Sequence, residues 1–274
     1  MGGLCDWTML LLLSVLCGMA AGLQITGIQV PATVISGDQV RLTCSFEFNG
    51  DKLYSLTWWK DEQLFFKYLP INNRKTVYET PGITVDKRIS TLHEVILSHV
   101  DHRASGKMRC EVVADQPSFE KDSMSANITV VDPPPRGPDI TGARESYTIG
   151  ELLLLNCSSS FSYPPTNLSW VINGQKALRE TVVVYPRDRD SEGRESSWSG
   201  LQMCLRREHF RNGVLVLRCI ATILHVYNIS SEIRITDSSY IQSAPREGAS
   251  TAGAGSSSLL LPLLLLLPGM LRGT

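Results

Sequence analysis

Leu53-Tyr-Ser-Leu-Thr-Trp-Trp-Lys60 lies between two cysteines, Cys44 and Cys110, and its Trp58 follows Cys44 by 14 positions. The arrangement returns later in the chain, where Trp170 follows Cys157 by 13 positions and Cys219 closes the interval. The two cysteine intervals are 66 and 62 positions long. Around each landmark apolar residues alternate with polar ones. Val40, Leu42, Cys44 and Phe46 share one face, and Arg41, Thr43 and Ser45 take the other. Tyr54, Leu56 and Trp58 share a face in the next segment, as do Met108, Cys110 and Val112 in the segment bearing the second cysteine. Leu153, Leu155 and Cys157 repeat the pattern, and so do Leu215, Leu217 and Cys219. Period-two alternation marks a strand with one face buried.

A tryptophan soon after the first of two cysteines at this spacing is the signal of an immunoglobulin sandwich, whose indole packs on the disulfide joining two sheets. The two occurrences are in register: Cys44 to Cys157 is 113 positions, Trp58 to Trp170 is 112, and Cys110 to Cys219 is 109. Gly37 and Gly150 each stand seven positions before the first cysteine of their repeat, and Ile25-Thr-Gly27 is answered by Ile140-Thr-Gly142. The fold class is therefore all-β, with two tandem immunoglobulin-like β-sandwiches, the first V-type and the second C-type or I-type. Residues 23–131 form the first domain and 139–236 the second. Disulfides Cys44–Cys110 and Cys157–Cys219 are predicted, with Trp58 and Trp170 as the core tryptophans. In the chain-entropy account each bridge contributes roughly 4 kcal/mol. Residues 132–138, Asp-Pro-Pro-Pro-Arg-Gly-Pro, read as a stiff extended linker that holds the domains apart as a rod.

The 274 residues carry 26 Lys and Arg against 27 Asp and Glu, a formal net charge of −1. A clustered basic surplus is the footprint of nucleic-acid binding, so no nucleic-acid partner is expected. The first 22 residues read as a cleavable secretory signal, with an apolar run from Met9 to Leu16 and small residues up to Ala20 and Gly22. The alternative, a signal anchor, requires a longer run to cross about 30 Å of hydrocarbon. At the other end residues 237–258 form a polar spacer, and 259–274 carry a leucine-rich tail interrupted by Pro262 and Pro268. Small residues, spacer and short apolar tail together predict a GPI-attachment signal, with Gly248, Ala249 or Ser250 as attachment site. A short transmembrane anchor and plain secretion are the alternatives. Either way the chain is expected at the extracellular face of the plasma membrane or outside the cell, where disulfides persist. Cys5 and Cys17 leave with the signal, and Cys204 is left over, facing away from the second core.

Four sequons occur: Asn127-Ile-Thr, Asn156-Cys-Ser, Asn167-Leu-Ser and Asn228-Ile-Ser. Strand parity turns Asn127, Asn156 and Asn167 outward, and Asn228 is expected in a loop past the final cysteine. Glycosylation is predicted at all four, with Asn156 the contested one because Cys157 is needed for a disulfide. No phosphate loop, nucleophile elbow, dinucleotide fingerprint or zincin motif is present. His99 and His102 are the only close histidine pair and read as a solvated turn. The alternating charges of Arg187 to Glu195 read as a solvated loop. The expectation is no enzyme, no cofactor and no metal.

Several of these stretches resemble the arthropod beaten path family. In the first repeat these are Leu53-Tyr-Ser-Leu-Thr-Trp-Trp-Lys60, Phe65-Phe-Lys-Tyr68, Pro81-Gly-Ile-x-Val85, Ser105-Gly106 and Cys110-Glu-Val-x-Ala-Asp-x-Pro-Ser-Phe119. In the second they are His209-Phe-Arg-Asn-Gly213, Leu217-Arg-Cys-x-Ala-Thr-Ile223 and Tyr227. The resemblance covers roughly residues 23 to 236. It implies a surface-attached or secreted protein of neurons that binds Sidestep-type immunoglobulin proteins on other cells and guides axons, notably in motor axon defasciculation. It places heterophilic recognition on the first domain, with a co-receptor carrying any inward signal. Met108 departs from the usual pattern, standing where a tyrosine-corner residue is expected two positions before Cys110.

If Trp58 faces the core, Trp59 faces out. Trp59, Phe65, Phe66 and Tyr68 are then the expected partner-binding aromatics, since exposed aromatics concentrate at hot spots, with Lys60 and Lys67 as a polar rim. The competing expectation is that two or three of these aromatics cover the core. A glycan on Asn127 is expected on the same sheet, pushing the contact toward its other end.

Overall fold

The computed structural model describes residues 22–48 and 52–243. The expected signal segment up to residue 21 and the expected GPI signal, including Gly248, Ala249 and Ser250, lie outside the described residues. The first domain holds β1 (Gln24–Gln29), β2 (Thr33–Ile35), β3 (Val40–Glu47), β4 (Leu53–Lys60), β5 (Gln63–Leu69), β6 (Arg74–Val77), β7 (Ile83–Val85), β8 (Glu94–Val100), β9 (Gly106–Ala114) and β10 (Lys121–Val131). They pair in the orders β1-β3-β8-β7 and β2-β10-β9-β4-β5-β6. The additional β5–β6 ribbon on the second of these sheets is the V-type feature.

The second domain holds β11 (Asp139–Thr141), β12 (Ser146–Tyr147), β13 (Leu152–Ser162), β14 (Asn167–Ile172), β15 (Gln175–Lys176), β16 (Val182–Val184), β17 (Glu195–Cys204), β18 (Val214–Ile223) and β19 (Tyr227–Asp237). Its sheets run β11-β13-β17-β16 and β12-β19-β18-β14-β15. The predicted boundary at residue 236 is one strand residue short, because β19 runs through Asp237. Residues 238–243, expected as polar spacer, form the short helix α1 (Ser238–Ser243). A Cβ on Gly213 would lie 2.3 Å from Tyr240, so glycine is what lets this helix close on the domain.

Each core is organised as the spacing predicts. Cys44–Cys110 and Cys157–Cys219 are bonded. Trp58 and Trp170 are buried beside them, with Leu42, Leu56 and Val112 in the first cluster and Leu155, Leu201 and Leu217 in the second. Met108 is fully buried and fills the tyrosine-corner position with its thioether side chain. The turn before β9 is fixed by glycine: Gly82 sits at φ +78°, and a Cβ there would lie 2.4 Å from the Ala104 amide nitrogen. Only glycine combines that conformation with so close a backbone approach.

Two strand irregularities break the simple alternation. Leu53 pairs with Ala114 and Ser55 with Val113, so Tyr54 is an extra residue. It is turned outward and exposed, not inward with Leu56 and Trp58 as parity predicts. In β5, Phe66 pairs with Trp58 and Leu64 with Trp59, leaving Phe65 as the bulged residue. A bulge lets two neighbouring side chains turn to one face, and both Phe65 and Phe66 are fully buried. Asn228, expected in a loop, lies in β19 and is exposed.

The linker does not hold the domains apart. Asp132 and Tyr163 exchange both backbone hydrogen bonds, at 2.7 and 2.9 Å, and so form a bridge between linker and second domain. Further along, the Tyr227 hydroxyl donates to Arg136 O at 3.2 Å, and Ser231 Oγ donates to Pro138 O. From the first domain His102, in the turn His102–Ala104, places Nε2 2.8 Å from Glu192 O, and its ring packs on Tyr163. The charged segment read as a solvated loop thus reaches the first domain. Arg194 joins it to the linker through Asp190 at 2.9 Å and Asp132 at 3.3 Å. Replacing Arg194 by alanine removes the charged part of this joint. We expect a broader interdomain angle distribution by small-angle scattering, with the melting of each domain shifted by less than about 1 kcal/mol, as for exposed ion pairs.

Candidate recognition surface

The outward face of the sheet β2-β10-β9-β4-β5-β6 can be read row by row from strand register. Same-face residues along a strand repeat every ~7 Å, and neighbouring strands lie ~4.8 Å apart. One row is Lys67, Thr57, Glu111 and Ser123 across β5, β4, β9 and β10. The next is Leu64, Trp59, Arg109 and Ser125. Asn127 follows one step further, paired with Lys107. On the other side stand Ser55, Val113 and Lys121.

The centre of this face is a chain of contacts. The Trp59 indole Nε1 donates to Thr57 Oγ1 at 3.0 Å. The Arg109 guanidinium lies 4.9 Å from the centre of the Trp59 ring, and its Nη1 stands 3.2 Å from Glu111 Oε2. Lys121 Nζ approaches the same carboxylate oxygen at 2.9 Å. Glu111 is thereby buried between two cations on an otherwise outward face. Three cations, Lys67, Arg109 and Lys121, face one carboxylate, so the patch carries a formal surplus of two positive charges. Tryptophan and arginine held rigid by neighbours are the residue types that anchor interfaces, since little side-chain entropy remains to be lost on binding.

Of the six residues predicted to contact a partner, two stand on this face: Trp59, half-buried under Arg109, and Lys67. Phe65 and Phe66 belong to the core for the reason given above, with the Phe65 ring centre 6.5 Å from that of Trp58. Tyr68 pairs with Leu56, packs against the core and donates its hydroxyl to Asn73 Oδ1 at 2.9 Å. Lys60 is tied to Asp61. Arg109, Glu111 and Lys121 were missed by the sequence reading. Their signal was present for the first two, which alternate with Met108, Cys110 and Val112 and must therefore face away from the core. At the end of the sheet where β3 joins β4 and β9 joins β10, Tyr54 and Phe119 are exposed aromatics.

The corner below Trp59 is held by Asp61, which receives the Lys107 amide at 3.0 Å. The Lys60 side chain, then the Lys107 amide, hold its carboxyl below the usual carboxylate range. Asp101, which caps the turn at the same end, is held below that range first by the Arg103 side chain. For a carboxylate depressed in the folded state, the stabilisation is complete above the unfolded value near pH ~4 and is lost as pH falls through the folded value. The melting temperature is therefore expected to be flat above pH ~5 and to drop below pH ~4. Asp101→Asn should lower the plateau and flatten the acid limb, which calorimetry across that range would read directly.

All four sequon asparagines, Asn127, Asn156, Asn167 and Asn228, are exposed. Cys204 is free and exposed. Among the described residues no group of three or more His, Cys, Asp or Glu side chains is placed to hold a metal. Within the same residues no helix is long and apolar enough to cross a membrane.

No family model matches this chain. Nephrin of Rattus norvegicus is 29% identical over 181 residues, covering 64% of this chain and 13% of nephrin. The chain thus spans about an eighth of that relative's length. Among solved structures, the crystal structure of Rst D1-D2 superposes with a TM-score of 0.55 at 16% identity, covering 79% of this chain and 99% of that one. An amphioxus IgVJ-C2 molecule superposes with a TM-score of 0.48 at 14% identity, over 75% of this chain and 99% of that one. The Rst D1-D2 superposition shows the two-domain immunoglobulin-like fold.

Proposed function

Taking the chain as an immunoglobulin-like protein of two domains, we propose that it is a cell-surface recognition protein that binds another immunoglobulin-superfamily protein through the outward face of the first domain. The partner is of the Sidestep type, displayed on another cell, and the outcome is adhesion coupled to axon guidance, including motor axon defasciculation. The observation carrying this reading is the Trp59–Arg109–Glu111–Lys121 chain, a pre-organised aromatic and cationic patch on the outward face of the first domain's larger sheet. The nephrin relative, the immunoglobulin fold and two disulfides support an extracellular, non-enzymatic protein. The beaten path resemblance supplies the partner class, and the tail sequence supplies GPI attachment, with a co-receptor needed for inward signalling.

Homophilic adhesion is the second reading. The positive surplus on the patch opposes it, because an isologous contact would bring like charges face to face. A partner with an acidic patch fits better. The test is binding of the secreted ectodomain to cells displaying individual Sidestep-type proteins and to cells displaying this chain itself. Binding to one Sidestep-type protein and no self-binding is the expected result. Self-binding alone, or silence across a folded panel, overturns the partner assignment. Phosphatidylinositol-specific phospholipase is expected to release the protein from cells; full retention would remove the GPI anchor from the account.

A further inference from the structure

The outward face of the second domain's β11-β13-β17-β16 sheet is more apolar than the face of a solvated strand should be. Leu152 is 55% exposed, Leu154 50%, Trp198 42% and Tyr185 37%. Several large apolar side chains exposed on one face of a domain call for a cover. The register shows what stands in the middle of it. Asn156 pairs with Gly200, and Ser158 with Trp198, so Asn156 and Trp198 are diagonal neighbours on one face. Diagonal pairs of this kind lie within reach of an aromatic side chain.

Gly200 matters here because it has no side chain. A Cβ at that position would lie 2.9 Å from the Tyr185 hydroxyl, so glycine lets the Tyr185 ring fold down beside Asn156. The backbone keeps Tyr185 next to Trp198, whose carbonyl accepts from the Tyr185 amide at 3.4 Å. The result is a groove of about 430 Å³ lined by Asn156, Tyr185, Pro186, Asp188 and Trp198. It offers two aromatic rings and a proline as walls, one carboxylate as a hydrogen-bond acceptor, and a sequon asparagine at its edge.

The geometry points to this groove as the seat of the chain's own N-glycan, attached at Asn156, whose first sugar rings lie over Trp198 and Tyr185 and cover the apolar face. A pyranose ring has an apolar C–H face and a rim of hydroxyls. It therefore complements the electron-rich faces of the aromatic walls, with the Asp188 carboxylate at the margin to accept from its hydroxyls. Attachment forms a bond between Asn156 Nδ2 and the anomeric carbon of the first N-acetylglucosamine. It releases the lipid pyrophosphate of the oligosaccharide donor and one amide proton. Cys157 in the middle of the sequon is no obstacle to this order of events. Its partner Cys219 lies 62 residues further along the chain, so the acceptor emerges before its disulfide can close.

The inference rests on passage through the secretory pathway but not on the identity of any partner. Glycopeptide mapping of the secreted protein is expected to find Asn156 occupied. Peptide:N-glycosidase acting on the native protein is expected to release this glycan at least tenfold more slowly than those at Asn127, Asn167 and Asn228. Trp198→Ala should raise the Asn156 rate to that of the others. Ser158→Ala and Asn156→Gln, which empty the site by different substitutions, should each raise the binding of an apolar fluorescent dye several-fold. An empty Asn156 beside three filled sequons overturns the seat, and so does a release rate equal to the others. Four empty sequons would overturn the secretory reading and this inference with it.

Discussion

Phe66→Ala lowers the stability of the first domain by about 3–5 kcal/mol, the range for deleting a buried phenylalanine, and the secreted yield collapses. Phe66 is fully buried, pairs with Trp58 across the sheet, and shares the core with Phe65 and Leu97. Its neighbours Trp58 and Phe65 are fully buried as well, so a cavity at this position lies inside the packed core. A domain of this size is stable by only about 5–15 kcal/mol, so the loss is a large part of the whole. Denaturant unfolding of whatever protein is secreted would give the value. Loss of less than ~1 kcal/mol would show that the bulge at Phe65 does not turn both rings inward. Any loss of binding in such a variant reports unfolding and carries no information about the recognition face.

Trp59→Ala combined with Arg109→Ala has the second large effect, and on binding alone. Removing the indole and the guanidinium stacked on it is expected to cost about 3 kcal/mol of binding free energy, about a hundredfold in affinity. Half-buried, outward residues whose partners lie on the same face leave the core untouched, so the melting temperature should hold within a few degrees. The two single variants are expected to be non-additive, because each loses its contact with the other. Glu111 is a less clean target. Removing it leaves Arg109 and Lys121 unpaired beside one another, so repulsion and lost contact would be mixed in the result.

What was legible in the sequence, and what was not, follows from which interactions are local. Cys44, Trp58 and Cys110, with Cys157, Trp170 and Cys219, announce themselves because one disulfide and one indole occupy equivalent places in each sandwich. Strand faces were legible wherever pairing is continuous. They failed at Tyr54 and Phe65, where a one-residue bulge inverts parity. The apolar run Leu64-Phe65-Phe66 was the available warning, since strict alternation cannot bury two adjacent rings. The joint between domains was illegible for another reason. Asp132 meets Tyr163, and His102 meets Glu192, across long separations, through contacts that no spacing or composition encodes. The proline-rich stretch does supply stiffness, but the second domain captures it. Asn228 was misplaced because β18 and β19 are joined by so short a turn that its strand begins sooner than a loop would allow.

The most direct test of the recognition face uses a glycan as a wedge on each sheet of the first domain. Ser123→Asn creates a sequon with Ser125 in the row of Glu111, and Arg41→Asn creates one with Thr43 on the opposite sheet. Arg41 forms only an exposed pair with Glu94, so its loss costs little. With both wedges confirmed by mass, binding to the proposed Sidestep-type partner is measured for each protein beside the parent. The account predicts that the wedge at 123 abolishes binding and the wedge at 41 leaves it unchanged. Binding that survives the wedge at 123 and is lost with the wedge at 41 would contradict it.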